Sequence, residues 1–176
     1  MLRMVAVFMM LTFLAATGDA AELVSMKFCA SKDYDATTKE CAAGKALEGN
    51  SIVIDPSKVG SLQFLTTVKT SEEQEIYHVW IFGKAGKVLV YDATTKQLRE
   101  ADPPELTWLK DRQIEGARVL VKMTASASER FRLRSQKTLT PSMSGTWKVQ
   151  VYEASQTTPL GEMGFTVGVP DNGITN

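Results

Sequence analysis

Along most of the chain, apolar and polar residues alternate one for one. In Ala117–Ala125 (ARVLVKMTA), Val119, Val121 and Met123 fall on one side of an extended backbone; Arg118, Lys122 and Thr124 fall on the other, with Leu120 among them. Gly145–Glu153 sets Trp147, Val149 and Val151 against Lys148, Gln150 and Tyr152. Phe165, Val167 and Val169 line up near the end, and Phe131 and Leu133 oppose Arg130, Arg132 and Arg134. A period of two sends successive side chains to opposite faces of a strand, so each stretch reads as a strand with one dry and one wet face. The earlier runs ELVSMKFCA, SIVID, SLQFLTTVK, IYHVWIF and KVLVYD bring the total to about nine strands.

Strands of that kind bury their dry faces by packing as antiparallel sheets, face to face. Turn residues punctuate the runs: GKAG, DPPE, TPSMSG and ASQTTPLG. One short helix or helical turn is expected near 103–113, where PPELTWLKDRQI begins with Pro103 and Pro104 and carries Leu106 and Leu109 on one side. The hexapeptide YDATTK occurs at Tyr34–Lys39 and again at Tyr91–Lys96. The flanks of the two copies differ, so they read as two similar Asx- or Thr-type turns and not as a duplicated domain.

The first residues follow another pattern. Arg3 precedes an apolar run from Met4 to Ala16, and small residues follow, with Gly18 and Ala20 in small-x-small spacing. Residues 1–20 therefore read as a signal peptide cut after Ala20, with a cut after Ala21 as the neighbouring choice. The rival reading is a retained anchor, for which a run of about 13 residues is short against a ~30 Å hydrocarbon core. The β-sandwich domain is placed at 21–169 and a disordered tail at 170–176. The expected location is periplasmic or extracellular, with no stable membrane insertion unless the leader is kept.

Export changes the reading of the two cysteines. Cys29 and Cys41 are an even pair in an oxidising compartment, separated by a polar, turn-rich segment, and are expected to form a disulfide. Closing a loop of that size is worth on the order of 3 kcal/mol by chain entropy. Their spacing is far from C-x-x-C and there is no second ligand pair, so no metal or cofactor is expected. Charge narrows the partners: 20 Lys and Arg balance 20 Asp and Glu, which gives no basic excess for gripping nucleic acid or anionic lipid.

Three stretches together resemble a known family. HVWIFGKAGKV holds His78 and Trp80, RFRLRSQKTL runs through Arg132 to Lys137, and GTWKVQVYEASQTTPLGEMGFTV holds Gly145, Trp147, Val149, Phe165 and Val167. The pattern is similar to that of the bacterial secreted family called domain of unknown function 2914, over roughly Leu62 to Val169. The chain departs from it in FRLRS, where an aromatic beside the serine is expected, and in a longer connection from Asp92 to Ala117. The resemblance implies a β-sandwich in the envelope and no assigned activity.

His78 is the only histidine. On a strand it shares a face with Ile76, Trp80 and Phe82, while Tyr77, Val79 and Ile81 form an equally apolar second face, so the strand is expected to be central and buried. A histidine there serves as a hydrogen-bonded structural group, as a ligand contact with Trp80, or as a base, which needs a positioned partner. Arg130, Arg132 and Arg134 form a stripe that could clamp carboxylates or phosphates, or be a solvated face that discourages edge pairing. Trp108 would serve as a sugar-stacking platform or interface anchor, or tuck against the core edge. There is no G-x-S-x-G and no phosphate loop. The expectation is an exported, non-enzymatic, immunoglobulin-like antiparallel β-sandwich of about 7–9 strands. It would bind an envelope protein partner as an accessory subunit. The alternative is a carbohydrate- or peptidoglycan-binding module using Trp80 or Trp108 with the arginines. A hydrolase would need an accessible His78 or a close carboxylate pair.

Overall fold

The structure is a computed structural model that describes residues 20–49, 51–83 and 86–168. The tail at 170–176, and the segment read as a signal peptide up to residue 19, lie outside the described residues. In chain order the elements are β1 (Glu22–Ala30), β2 (Tyr34–Asp35), β3 (Glu40–Cys41), β4 (Val53–Ile54), β5 (Ser61–Thr70), β6 (Gln74–Phe82), β7 (Leu89–Asp92) and β8 (Gln97–Glu100). Then come α1 (Pro103–Asp111), β9 (Ala117–Ala125), β10 (Ser128–Thr138), β11 (Gly145–Glu153) and β12 (Gly161–Val167).

The strands form a sandwich, as the alternation predicts. One sheet has the order β1-β5-β10, the other β4-β12-β11-β6-β9-β7-β8, and β2-β3 make a small hairpin. The inner faces meet over Phe28, Phe64, Trp80, Trp147, Val149 and Phe165. Two pairings depart from the antiparallel expectation: β4 with β12, and β7 with β9, run parallel. The second has a physical cause in the long connection, since β8 and α1 carry the chain across before it re-enters the sheet as β9, and a parallel neighbour requires such a crossover.

That crossover also explains why β6 is apolar on both faces. Ile76, His78 and Trp80 face the smaller sheet, while Tyr77, Val79 and Ile81 join Val90, Leu109, Leu120 and Tyr152 in a second core on the outer face, under α1. The helix is started by its own sequence. Asp102 caps it by accepting from Glu105 N at 3.1 Å, Glu105 Oε2 accepts from Asp102 N at 2.9 Å, and two prolines fill the first turn. Nine residues are too few for a stable lone helix, so packing of Leu109 and Trp108 holds it down. Leu106, expected beside Leu109, is instead 47 % exposed.

Both YDATTK copies fold alike. Asp35 Oδ1 accepts from Thr37 N and Thr38 N at 2.8 and 3.3 Å; Asp92 Oδ1 accepts from Thr94 N and Thr95 N at 2.8 and 3.2 Å. Lys39 and Lys96 close the two turns in the left-handed region, at φ of 57° and 58°. Cys29, at the end of β1, is bonded to Cys41 on β3 with the Cα atoms 6.0 Å apart.

Candidate functional site

His78 sits in the middle of the sandwich with none of its surface exposed. Its ring is bracketed by two hydroxyls of the opposite sheet. Nε2 lies 3.0 Å from Thr66 Oγ1 on β5, and Nδ1 lies 2.9 Å from Ser135 Oγ on β10. Ser135 Oγ also accepts the indole N–H of Trp80 at 3.1 Å. Phe64 stacks edge-on against the imidazole, with centroids 4.9 Å apart. Two proton arrangements fit these contacts, and in each the histidine donates once and accepts once, as a neutral imidazole does. Burial pushes its pKa down from the ordinary 6.5 to about 3.

A serine and a histidine 2.9 Å apart invite comparison with a nucleophile and its base. The surroundings differ from that arrangement. The ring's second partner is the Thr66 hydroxyl where a triad would have a carboxylate, and Ser135, 4 % exposed, spends a lone pair on Trp80. The group therefore works as a polar tie across an otherwise apolar core, with every ring nitrogen supplied. His78 and Trp80, read from sequence as candidate ligand contacts, present no surface in this structure.

The remaining candidates lie elsewhere. Trp108 is on α1, where its indole N–H donates to Ala154 O at 2.9 Å and its ring meets Tyr77 and Tyr152 edge-on. The Arg112 guanidinium covers it 4.0 Å from the ring centroid. Of the arginine stripe, Arg132 donates to Glu40 Oε1 at 2.8 Å, and the same carboxylate pairs with Lys27. Arg134 lies over the Tyr34 ring at 4.8 Å, and Arg130 is exposed. The stripe lies on the outer face of the three-stranded sheet, away from the His78–Trp80 pair of the other sheet, because Leu133 and Ser135 turn inward between the arginines.

Sequence reading overlooked Glu105. It is 5 % exposed, yet its carboxylate takes two 2.7 Å hydrogen bonds from Arg99 and a 2.5 Å contact from Lys122. Burial works to raise its pKa; Arg99, Lys122 and the Asp102 N–H outweigh it and hold the carboxyl down at about 2. The D-P-P-E spacing of a capping box was its available signal. The cluster pins the crossover to β9 and has no open coordination position. Among the described residues no group of three or more His, Cys, Asp or Glu is placed to hold a metal ion.

A groove opens where the smaller sheet stops short of the larger one. Beyond the edge strand β10, a cavity of about 380 Å³ is floored by Leu89, Tyr91, Val119 and Val121, with Leu98 of β8 at 61 % exposure on its wall. It adjoins a second cavity of about 280 Å³ lined by Arg118, Phe82, Met143 and Trp147. Lys137, Leu89 and Val119 belong to both. Lys137 follows Leu133 and Ser135 on the inward face of β10, and burial together with nearby Arg118 lowers its pKa. Among the described residues neither Lys137 nor Arg118 has a carboxylate partner, and none of the groove's lining residues is acidic. Alternation could not show this site, because it is made by unequal sheet widths.

Fold and geometry thus define an all-β sandwich domain with a sealed polar tie and an open flank beside β10. The model of the family described as "Protein of unknown function (DUF2914)" matches residues 106–167, and over that segment the chain carries the resemblance read from its sequence. The match takes in Trp108, the arginine stripe, Ser135, Lys137 and Trp147; His78 and Trp80 lie before it. No curated protein matches the chain by sequence. Among solved structures, the alkylpurine DNA glycosylase AlkC of Pseudomonas fluorescens, bound to DNA containing an abasic site analog, is 9 % identical with a TM-score of 0.36, the alignment covering 85 % of this chain. The chain spans 30 % of the length of that protein. A Niemann-Pick type C2 protein from Japanese carpenter ant is 8 % identical with a TM-score of 0.31, over 87 % of this chain and 96 % of its own. Scores this low bear on neither fold nor ligand.

Proposed function

We propose that this is an exported, non-enzymatic β-sandwich protein of the envelope that binds a protein partner as an accessory subunit. The observation that carries this reading is the groove beside β10, with its half-buried apolar floor and two cations, Lys137 and Arg118, that have no carboxylate partner among the described residues. A partner segment combining apolar side chains with an acidic one complements it: the apolar groups cover Leu89, Tyr91 and Leu98, and the carboxylate reaches Lys137 and Arg118. The disulfide supports an oxidising compartment, and no helix among the described residues is long and apolar enough to cross a membrane. Carbohydrate stacking has less support, since Trp80 and Trp147 are buried and Trp108 is covered by Arg112.

The test is a tagged pull-down from gently solubilised envelopes of the host, read by native mass. A stoichiometric partner is expected for the wild type. It should be lost with Leu98→Glu and Lys137→Glu and kept with Arg130→Gln. A lone monomer, or a partner indifferent to the groove substitutions, would overturn this reading.

A further inference from the structure

The first residue of the sandwich meets a buried acid. Ala21 is 5 % exposed, and its backbone N–H donates to Glu153 Oε2 at 2.8 Å. Glu153 closes β11 at 4 % exposure, and its other oxygen accepts from Ser155 Oγ at 2.6 Å. No lysine or arginine pairs with it among the described residues. An amide and a hydroxyl solvate a carboxylate but do not neutralise it, and a buried charge without a counter-charge is costly. Ala20, one residue earlier, is exposed, so the passage from outside to inside falls on the bond between them.

We propose that the chain is cut between Ala20 and Ala21, and that the α-ammonium so created pairs with the Glu153 carboxylate, fastening the mature N-terminus to the end of β11. The cut is a hydrolysis by a processing peptidase of the host. Water's oxygen joins the Ala20 carbonyl carbon, the C–N bond breaks, Ala20 departs as a carboxylate, and the Ala21 nitrogen gains protons to become –NH3+. The ammonium arises where the amide N–H already points, 2.8 Å from the carboxylate, and supplies the missing charge. A cut one residue later would not: it would remove the Ala21 methyl from the core, and Glu22 is held in register with Lys69 on β5. The inference rests on the export reading above, and it is independent of which partner the groove takes.

The experiment is N-terminal sequencing of the protein isolated from its host, followed by denaturant unfolding of four chains. These are the chain starting at Ala21 with a free or an acetylated amine, each with Glu153 or with Glu153→Gln. Sequencing should read Ala21 first. Acetylation should lower the folding equilibrium constant at least tenfold in the wild type and leave the Glu153→Gln chain nearly unchanged. If Glu153→Gln does not fold, alkaline titration serves instead: the free-amine chain should lose denaturant resistance as the amine deprotonates, and the acetylated chain should not. A mature chain cut elsewhere, or equal sensitivity to acetylation with and without Glu153, would overturn the inference while leaving export intact. A chain that keeps residues 1–20 would overturn the inference and cleavage on export together.

Discussion

His78 Nδ1 and Ser135 Oγ lie 2.9 Å apart and come from opposite sheets, so the polar contact at the centre of the sandwich is also a bond between its two halves. Ser135→Ala removes the partner of that nitrogen and of the Trp80 indole N–H at once. Two buried groups left without partners cost on the order of 2–4 kcal/mol. Urea unfolding should show that loss, and a double-mutant cycle with His78→Gln should show strong coupling, whereas additive effects would deny the tie.

The same burial makes stability depend on pH. Above 6.5, the ordinary histidine value, His78 is neutral folded and unfolded, and its burial carries no proton penalty. Below that, the unfolded chain takes up a proton that the folded chain refuses until about pH 3. Stability should fall by about 1.4 kcal/mol per pH unit through this window. Because the chain has one histidine, the slope between 6.5 and 5 should flatten in His78→Gln. A variant with an unchanged slope would contradict the assignment.

Glu105 adds a second acid-sensitive contribution at lower pH. Its folded pKa of about 2 lies below the ordinary 4.5, so its contribution is complete above 4.5 and is lost as the pH falls toward 2. Glu105→Gln should cost on the order of 2 kcal/mol at neutral pH, because Arg99 and Lys122 lose a shared counter-charge while keeping some access to water. Thermal unfolding at pH 7 and pH 3 should show the cost shrinking at the lower pH.

Reduction of Cys29–Cys41, or replacement of both by alanine, should destabilise the fold by about 3 kcal/mol. The segment between them carries Glu40, which pairs with Lys27 and Arg132, so the hairpin β2-β3 should loosen first. Hydrogen exchange would report early opening there; uniform protection after reduction would contradict it.

Gly116 is required by its backbone. It has a φ of +71°, and an added Cβ would stand 2.5 Å from the Phe82 carbonyl oxygen where β9 enters the sheet. Gly116→Ala should cost on the order of 2 kcal/mol, or a fall of several degrees in Tm. An unchanged Tm would mean the turn adopts another conformation.

The nine strands read from the alternation were legible because each presents a regular face, and both faces of β6 being apolar gave away its central place; β2, β3 and β8 were not, because the first two span two residues each and β8 buries none of its side chains. The turn chemistry of YDATTK was legible for the same local reason: an aspartate and two following amides fold the same way wherever they occur. The parallel pairing of β7 with β9 was not, because alternation fixes faces and leaves neighbours open. Thr66 reads as an ordinary polar position and Ser135 only as the serine of the family pattern, and it is the sheet pairing that brings them to either side of His78. The groove was hidden because it arises from the larger sheet outrunning the smaller. Glu105 could have been read from D-P-P-E, though its ion pairs with Arg99 and Lys122 depend on the crossover.

Whether His78 is sealed and neutral decides whether its ring can act as a base or works only as the tie between the sheets. The most direct measurement is an NMR titration of its ring, whose signals are unambiguous because there is no second histidine. The prediction is that the ring resonances stay at their neutral positions from pH 8 down to the onset of unfolding, with one N–H slow to exchange. A titration centred near 6.5, with fast exchange at both nitrogens, would mean that water reaches the ring and would return His78 to the list of candidate bases.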